Sequence, residues 1–270
     1  METLKPGDYN PPGVFLEFGM PRRKTLIRTL LVIVALVVAV LGVLYYRANR
    51  MPNNYRPLTL TAGEKEQASK TFVQEVVVDF RNKTQQIAPF AWSISQRDIN
   101  RYLASIDEIV SVLAAWERGR VDAAMKQMGL ADPAAVLEEG TITLMIRSRR
   151  FGNVLSAKLA ADLTDSKRLR IRLVGARVGK LPVPKGLVLK PLGRLCQELW
   201  VYRWASGESN GDRPKDVCGV LAALIGAIDG EPINPEEIWR IKGIGIRIEE
   251  LAIAQGRLAL KIQPVGPVRD

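Results

Sequence analysis

The chain has 270 residues, 47% of them hydrophobic, and a formal net charge of +11 with no histidine. Without imidazole it lacks the commonest general base and metal ligand, which excludes Ser-His-Asp and Cys-His catalysis and the zinc hydrolase motifs. No cofactor or metal motif appears, and charge of mixed sign without a recognition motif argues against nucleic acid as a partner.

Residues 1–24 read as a short cytoplasmic tail punctuated by Pro and Gly, and residues 25–46 as a transmembrane anchor. Within the anchor, "TLLVIVALVVAVLGVLYY" (Thr29–Tyr46) holds eighteen uncharged positions, about 27 Å as a helix against the ~30 Å of a bilayer core. Arg28 can snorkel at one end, and Tyr45 and Tyr46 anchor the other. A cleaved signal peptide is the competing reading, but its apolar region runs only ~7–15 residues before a small-residue site. This run is longer and exits through "YYRANRMP". Arg22, Arg23, Lys24 and Arg28 precede the span, while Arg47, Arg50 and Arg56 follow it. That bias places the N-terminus in the cytoplasm and residues 51–270 outside. Residues 1–50 hold seven basic and three acidic side chains and the rest 32 and 25, so the large domain is mildly basic, as suits an acidic membrane surface.

A linker, residues 47–60, leads to a domain at 61–268. "TAGEKEQASKTFVQEVVVDF" opens with Thr61 and Glu64 at capping-box spacing, and Ala68, Phe72, Val76 and Phe80 recur every four residues as one helical face. "FAWSI" reads as a short strand-like connector. Ser95 caps a second helix, "QRDINRYLASIDEIVSVLAAW", with Ile99, Leu103, Ile106, Val110 and Leu113 on its apolar side. A polar helical stretch runs on to about Met128, where "GLADP" ends it. From Gly140 the period becomes two. Ile142, Leu144 and Ile146, then Leu155 and Leu159, then Leu169, Ile171 and Leu173 alternate through three strands of an antiparallel meander with one apolar face. Arg147, Arg149, Arg168, Arg170, Arg172 and Arg247 mark the opposite side, as a solvated face or a headgroup-binding one.

"GARVGKLPVPKGLVLKPLGRL" (Gly175–Leu195) has the glycines of a phosphate loop but not its chemistry. Only three residues separate Gly175 from Gly179, Leu181 stands where a Ser or Thr is needed, and two prolines forbid a helix there. A helical hairpin follows. Cys196 and Cys218 lie on its two arms, either as a disulfide closing a loop worth ~3 kcal/mol or as two buried thiols. Trp200, Tyr202 and Trp204 lie in the same region. Two final strands carry Ile244, Ile246, Ile248, Leu258, Leu260 and Ile262. These elements predict an α+β domain in which an antiparallel sheet packs against amphipathic helices.

The G-x-L-P-x-P strand end with Pro182 and Pro184, together with "SISQRDINRYLAS", resembles the YpmS-like family of bacterial single-pass membrane proteins. The resemblance covers about Thr61–Val265. It implies a structural hydrogen bond from Asn100 and a domain similar to tubular lipid-binding modules, in which a curved sheet wraps a helix around an apolar groove. Ile142, Leu144, Leu159, Leu169, Ile171, Leu173, Ile246, Leu258 and Leu260 are the groove candidates. The expected function is a non-catalytic, membrane-anchored binding module of the cell envelope for a lipid or other apolar ligand. The alternative is an assembly protein that docks on another membrane component.

Overall fold

A computed structural model of the chain describes residues 23–113, 126, 129–186, 228, 232–238, 240–241 and 244–266. It divides into two units, residues 1–44 and 45–270. The first unit holds most of helix α1 (Arg23–Asn49), whose apolar side chains from Leu30 to Leu44 are exposed. Of this helix, Leu30–Asn49 is long and apolar enough to cross a membrane, about 30 Å at 1.5 Å per residue.

The second unit is α+β. Helix α2 (Ala62–Thr71) begins in a reciprocal capping box: Thr61 Oγ1 accepts from the Glu64 amide at 3.4 Å, and the Thr61 amide donates to Glu64 Oε2 at 2.7 Å. The helix then winds as π over Phe72–Val78 and returns to α in α3 (Asp79–Gln85). The sequence contains the reason. A strict four-residue repeat drifts about 40° per step around an α-helix of 3.6 residues per turn, and the wider π winding takes some of that drift back. Both ends of the stretch then reach aromatic partners. Phe72 meets Tyr102 at 4.8 Å, and Phe80 meets Phe90 and Trp92 at 5.5 and 6.2 Å, all edge-on, the geometry ring quadrupoles prefer.

The expected second helix is broken. Helix α4 (Gln96–Ala104) is capped by Ser95, which accepts from the Asp98 amide at 3.1 Å. It stops at buried Ser105, whose hydroxyl donates back to the Arg101 carbonyl at 2.8 Å. Such local bonding competes with the helix ladder, and α5 (Ile106–Leu113) starts afresh.

The strands form two antiparallel sheets, not the single meander with added strands expected above. "FAWSI" belongs to a full strand, β1 (Phe90–Ser95). The five-stranded sheet runs β2 (Leu130–Glu138), β3 (Thr141–Ser148), β4 (Val154–Leu163), β5 (Leu169–Val178), β6 (Leu181–Val183) in simple order. The four-stranded sheet has the order β1, β9 (Arg257–Val265), β8 (Ile244–Ala254), β7 (Arg240–Ile241), with the short helix α6 (Pro235–Ile238) just before β7. Strand β1 thus pairs with a segment more than 160 residues away, Phe90 opposite Ile262 and Ile94 opposite Leu258. Strand β2 lies where the sequence predicted only the end of a helix.

Side chains of α4 join the sheets. Asn100, 7% exposed, donates from Nδ2 to the Ala135 carbonyl at 2.9 Å and accepts the Ala135 amide on Oδ1 at 2.6 Å. One turn earlier, Gln96 Oε1 accepts the Leu137 amide at 2.8 Å, and the Gly256 amide donates to the Leu137 carbonyl at 3.1 Å. The β8–β9 turn and two amide side chains thus satisfy the outer edge of β2, which would otherwise leave buried backbone groups unpaired at a cost of ~1–3 kcal/mol each.

Candidate functional site

Residues directly opposite across an antiparallel pair share a face, so the register locates every groove candidate. Ile142 stands opposite Leu159, and Leu159 opposite Leu173. Leu144 is opposite Ala157, Ile171 opposite Ala161, and Leu169 opposite Leu163. These six candidates therefore share one face of the five-stranded sheet. The other three do not: Ile246, Leu258 and Leu260 lie on the four-stranded sheet opposite Pro264, Ile94 and Trp92, on the face where Phe80 packs. The expectation of a single face lined by all nine is corrected by this split. Equal alternation in β3–β5 and β8–β9 reveals which side of a strand is apolar, not which sheet it joins.

The shared face is graded. At one end Leu169 and Leu173 are 6% and 5% exposed, whereas at the other Leu144 is 42% and Leu155 37% exposed. The open end adjoins the β5–β6 turn, because Leu155 is opposite Val178. That turn is also where the chain emerging from α1 is bound. The Lys180 amide donates to the Arg47 carbonyl at 2.9 Å, and Lys180 Nζ to Asn53 at 2.7 Å. Gly179 has φ +58, and a Cβ there would lie 2.2 Å from the Ala48 carbonyl oxygen, so only glycine allows this approach. A few residues on, Tyr55 packs against the cluster of Ala134, Met145 and Val154. Its hydroxyl donates to the Asp132 carbonyl at 2.7 Å, and burial pushes the phenol up to about 12. Asp132 is held at φ +53 and pairs with Arg147. Residues 47–55 are therefore bonded to the domain. Tyr55, Gly179 and Gln96 are structural residues that sequence reasoning passed over.

The concavities among the described residues include three on the two sheets and their helices. One of about 280 Å³ sits on β1, β8 and β9 beside Ala91, Ala252 and Ala259, with Leu260 the only groove candidate in its lining. A wider one of about 810 Å³ lies at the sheet junction around Gln96, Leu137, Glu139 and Gly256. A polar one of about 360 Å³ separates the π-wound helix from β1. It contains Asp79, paired with Lys83 at 2.8 Å, and Asp98, bonded to Ser95, so two of its carboxylates already have partners. Tyr102 there is raised by burial foremost and by Asp98 and Glu75. No group of three or more metal-ligating side chains occurs among the described residues.

The arginine stripe is largely neutralised. Arg170 makes a two-pronged pair with Asp162 at 2.8 and 3.1 Å, and Arg172 joins the same carboxylate at 2.8 Å. These bonds, with Arg170 foremost, hold Asp162 below the usual carboxylate range. Arg247 pairs with Glu236. Two lysines are paired likewise: Lys158 with Glu138, and Lys261 with Glu250. Pro182 is in β6, opposite Arg177, and Pro184 directly follows that strand, both exposed. Cys196, Cys218, Trp200, Tyr202 and Trp204, like the hairpin that carries them, lie outside the described residues.

No protein-family model matches this chain, no curated protein matches it, and no solved structure matches it.

Proposed function

We propose that the chain is a non-catalytic, membrane-anchored binding module of the cell envelope, cytoplasmic at its N-terminus. On this reading it receives a lipid acyl chain or similar apolar ligand on the shared face of β3, β4 and β5, which curves to form the groove. The observation that carries the reading is the exposure of Leu144 and Leu155 at the end of that face bound to the chain leaving α1. An apolar surface open beside a bilayer exit receives a chain without crossing water, and each methylene buried contributes ~0.8 kcal/mol. The YpmS-like resemblance supports the same class of ligand. The absence of histidine suits it, since apolar binding uses no proton transfer.

The test uses the full chain in nanodiscs containing a phospholipid with a photoactivatable acyl terminus. Adducts are expected on peptides carrying Leu144, Leu155 and Leu159, and Leu159→Trp, which fills the face, should remove them with little change in melting temperature. Adducts confined to α1 would turn the assignment to the assembly reading. One observation favours that second reading: Leu144 and Leu155 stand exposed on a sheet face, as suits a surface that docks a partner protein.

A further inference from the structure

The β3–β4 turn reads Arg149-Arg150-Phe151-Gly152. Its Phe151 is 65% exposed. A lone exposed aromatic is ordinary on a protein surface, but the place of this one is not. The Gly179 amide donates to the Val154 carbonyl at 2.7 Å, and the next residue, Lys180, is bonded to Arg47 at the end of α1. Phe151 is three residues from Val154, at most ~11 Å of chain. The turn is also built rather than loose. The Gly152 amide donates to the Ser148 carbonyl and the Ser148 amide to the Asn153 carbonyl, both at 2.8 Å, and the Arg149 amide donates to the Gly129 carbonyl at 2.6 Å. The Arg150 guanidinium lies 5.3 Å from the Phe151 ring centroid, as Arg50 lies 4.9 Å from that of Tyr46 on α1.

Charge is gathered at the same end. Segments 45–58, 147–154 and 177–185 together hold nine Lys or Arg and no Asp or Glu. Of the nine, Arg147 alone has an acidic partner among the described residues, and the other eight are exposed. Elsewhere on this sheet arginines face carboxylates, as Arg170 and Arg172 face Asp162. We propose that this end of the domain is a bilayer-contacting surface, on which Phe151 enters the interfacial layer while Arg149, Arg150 and their neighbours bind anionic headgroups. A wholly apolar ring flanked by cations suits that boundary, because the ring enters the edge of the acyl region while the charges meet phosphate. The proposal rests on α1 being a retained anchor. It does not depend on any ligand on the apolar face.

The experiment compares the full chain with its Phe151→Trp variant in nanodiscs whose acyl chains are brominated, so that only tryptophans near the acyl region are quenched. The wild type, with its five tryptophans, supplies the background. In discs of phosphatidylcholine with phosphatidylglycerol, the emission added by the new tryptophan should fall at least about two-fold. The effect should be lost in phosphatidylcholine alone and in a variant that also carries Arg149→Gln and Arg150→Gln. Equal quenching in both compositions overturns the anionic-headgroup recognition, and no added quenching in either overturns the surface altogether. Trypsin cleavage after Arg149 and Arg150 in the unmutated chain gives a second reading that needs no variant. It should be several-fold slower in the anionic discs, and equal rates in the two compositions count against the proposal. Acyl adducts on the Leu159 peptides report separately, so either proposal can fail without the other.

Discussion

Asn100 offers the sharpest test of how the two sheets are held together. Its amide makes one bond to each backbone group of Ala135 in a buried setting. Asn100→Ala removes both bonds and strands both backbone groups. At ~0.5–1.5 kcal/mol per bond with part of the desolvation cost added, the expected loss is about 3 kcal/mol. For a domain of this size each kcal/mol moves Tm by ~2–4 °C, so the shift should be about 6–12 °C. Asn100→Asp is the more telling change because it keeps the shape. Its carboxylate still accepts the Ala135 amide but now turns a second oxygen on the Ala135 carbonyl. Repulsion and burial favour the protonated acid, which can donate to that carbonyl, so the folded-state pKa is raised. The sign follows directly. The variant's penalty relative to wild type is smallest below the ordinary aspartate value of ~3.9 and grows as pH rises through the raised value. Denaturant unfolding of the full chain in nonionic detergent, followed by tryptophan emission at several pH values, measures the difference. Losses below about 0.5 kcal/mol for both variants, or an aspartate penalty that ignores pH, would refute the reasoning.

Gly179→Ala should cost at least ~2 kcal/mol, since the new Cβ meets backbone at Ala48 and the residue holds a left-handed φ; faster proteolysis within residues 50–57 would report detachment of that segment. Tyr55→Phe should lose ~1 kcal/mol at neutral pH by stranding the Asp132 carbonyl. In the wild type, stability should hold below about pH 10, where the unfolded phenol ionises, then fall as pH rises toward about 12; in the Phe variant that fall should be shallower, the remainder coming from Tyr102, which burial also raises. Protease added to intact spheroplasts should digest residues 51–270, and digestion only after permeabilisation would reverse the topology.

What the sequence revealed and what it hid divide along physical lines. The apolar helix, the Thr61–Glu64 box and the strands β3, β4 and β5 are local patterns, and each is present, although in β3 the structure buries Thr143 and Met145 and leaves Leu144 exposed. Strand β2 was hidden because "LADPAAVLE" is poor in β-branched and aromatic residues and contains a proline. It is a strand because α4 and β3 bond its edges, which is tertiary information. The partition of the final strands into a second sheet was hidden for the same reason, since the β1–β9 pairing has no local signature. One signal was available. Gln96 and Asn100 are two amides one turn apart, with Asn100 set beside the apolar side of its helix, and such a pair marks backbone groups needing partners. For the candidate site, alternation identified the six residues of the shared face but not that Ile246, Leu258 and Leu260 belong to the other sheet.

The π-wound stretch between α2 and α3 bears on what this chain can tolerate in length. Bonds that reach back five residues enclose one residue more than an α-helix uses. Deleting a single residue within Phe72–Val78 therefore leaves enough chain to wind as α throughout, with the flanking turns nearly in phase and Phe80 still near Phe90 and Trp92. The same deletion inside α2 or α3 has no such slack and swings everything beyond it by ~100°. Homologues one residue shorter in this helix should thus carry the gap inside that stretch, where a change of length is absorbed as a change of winding.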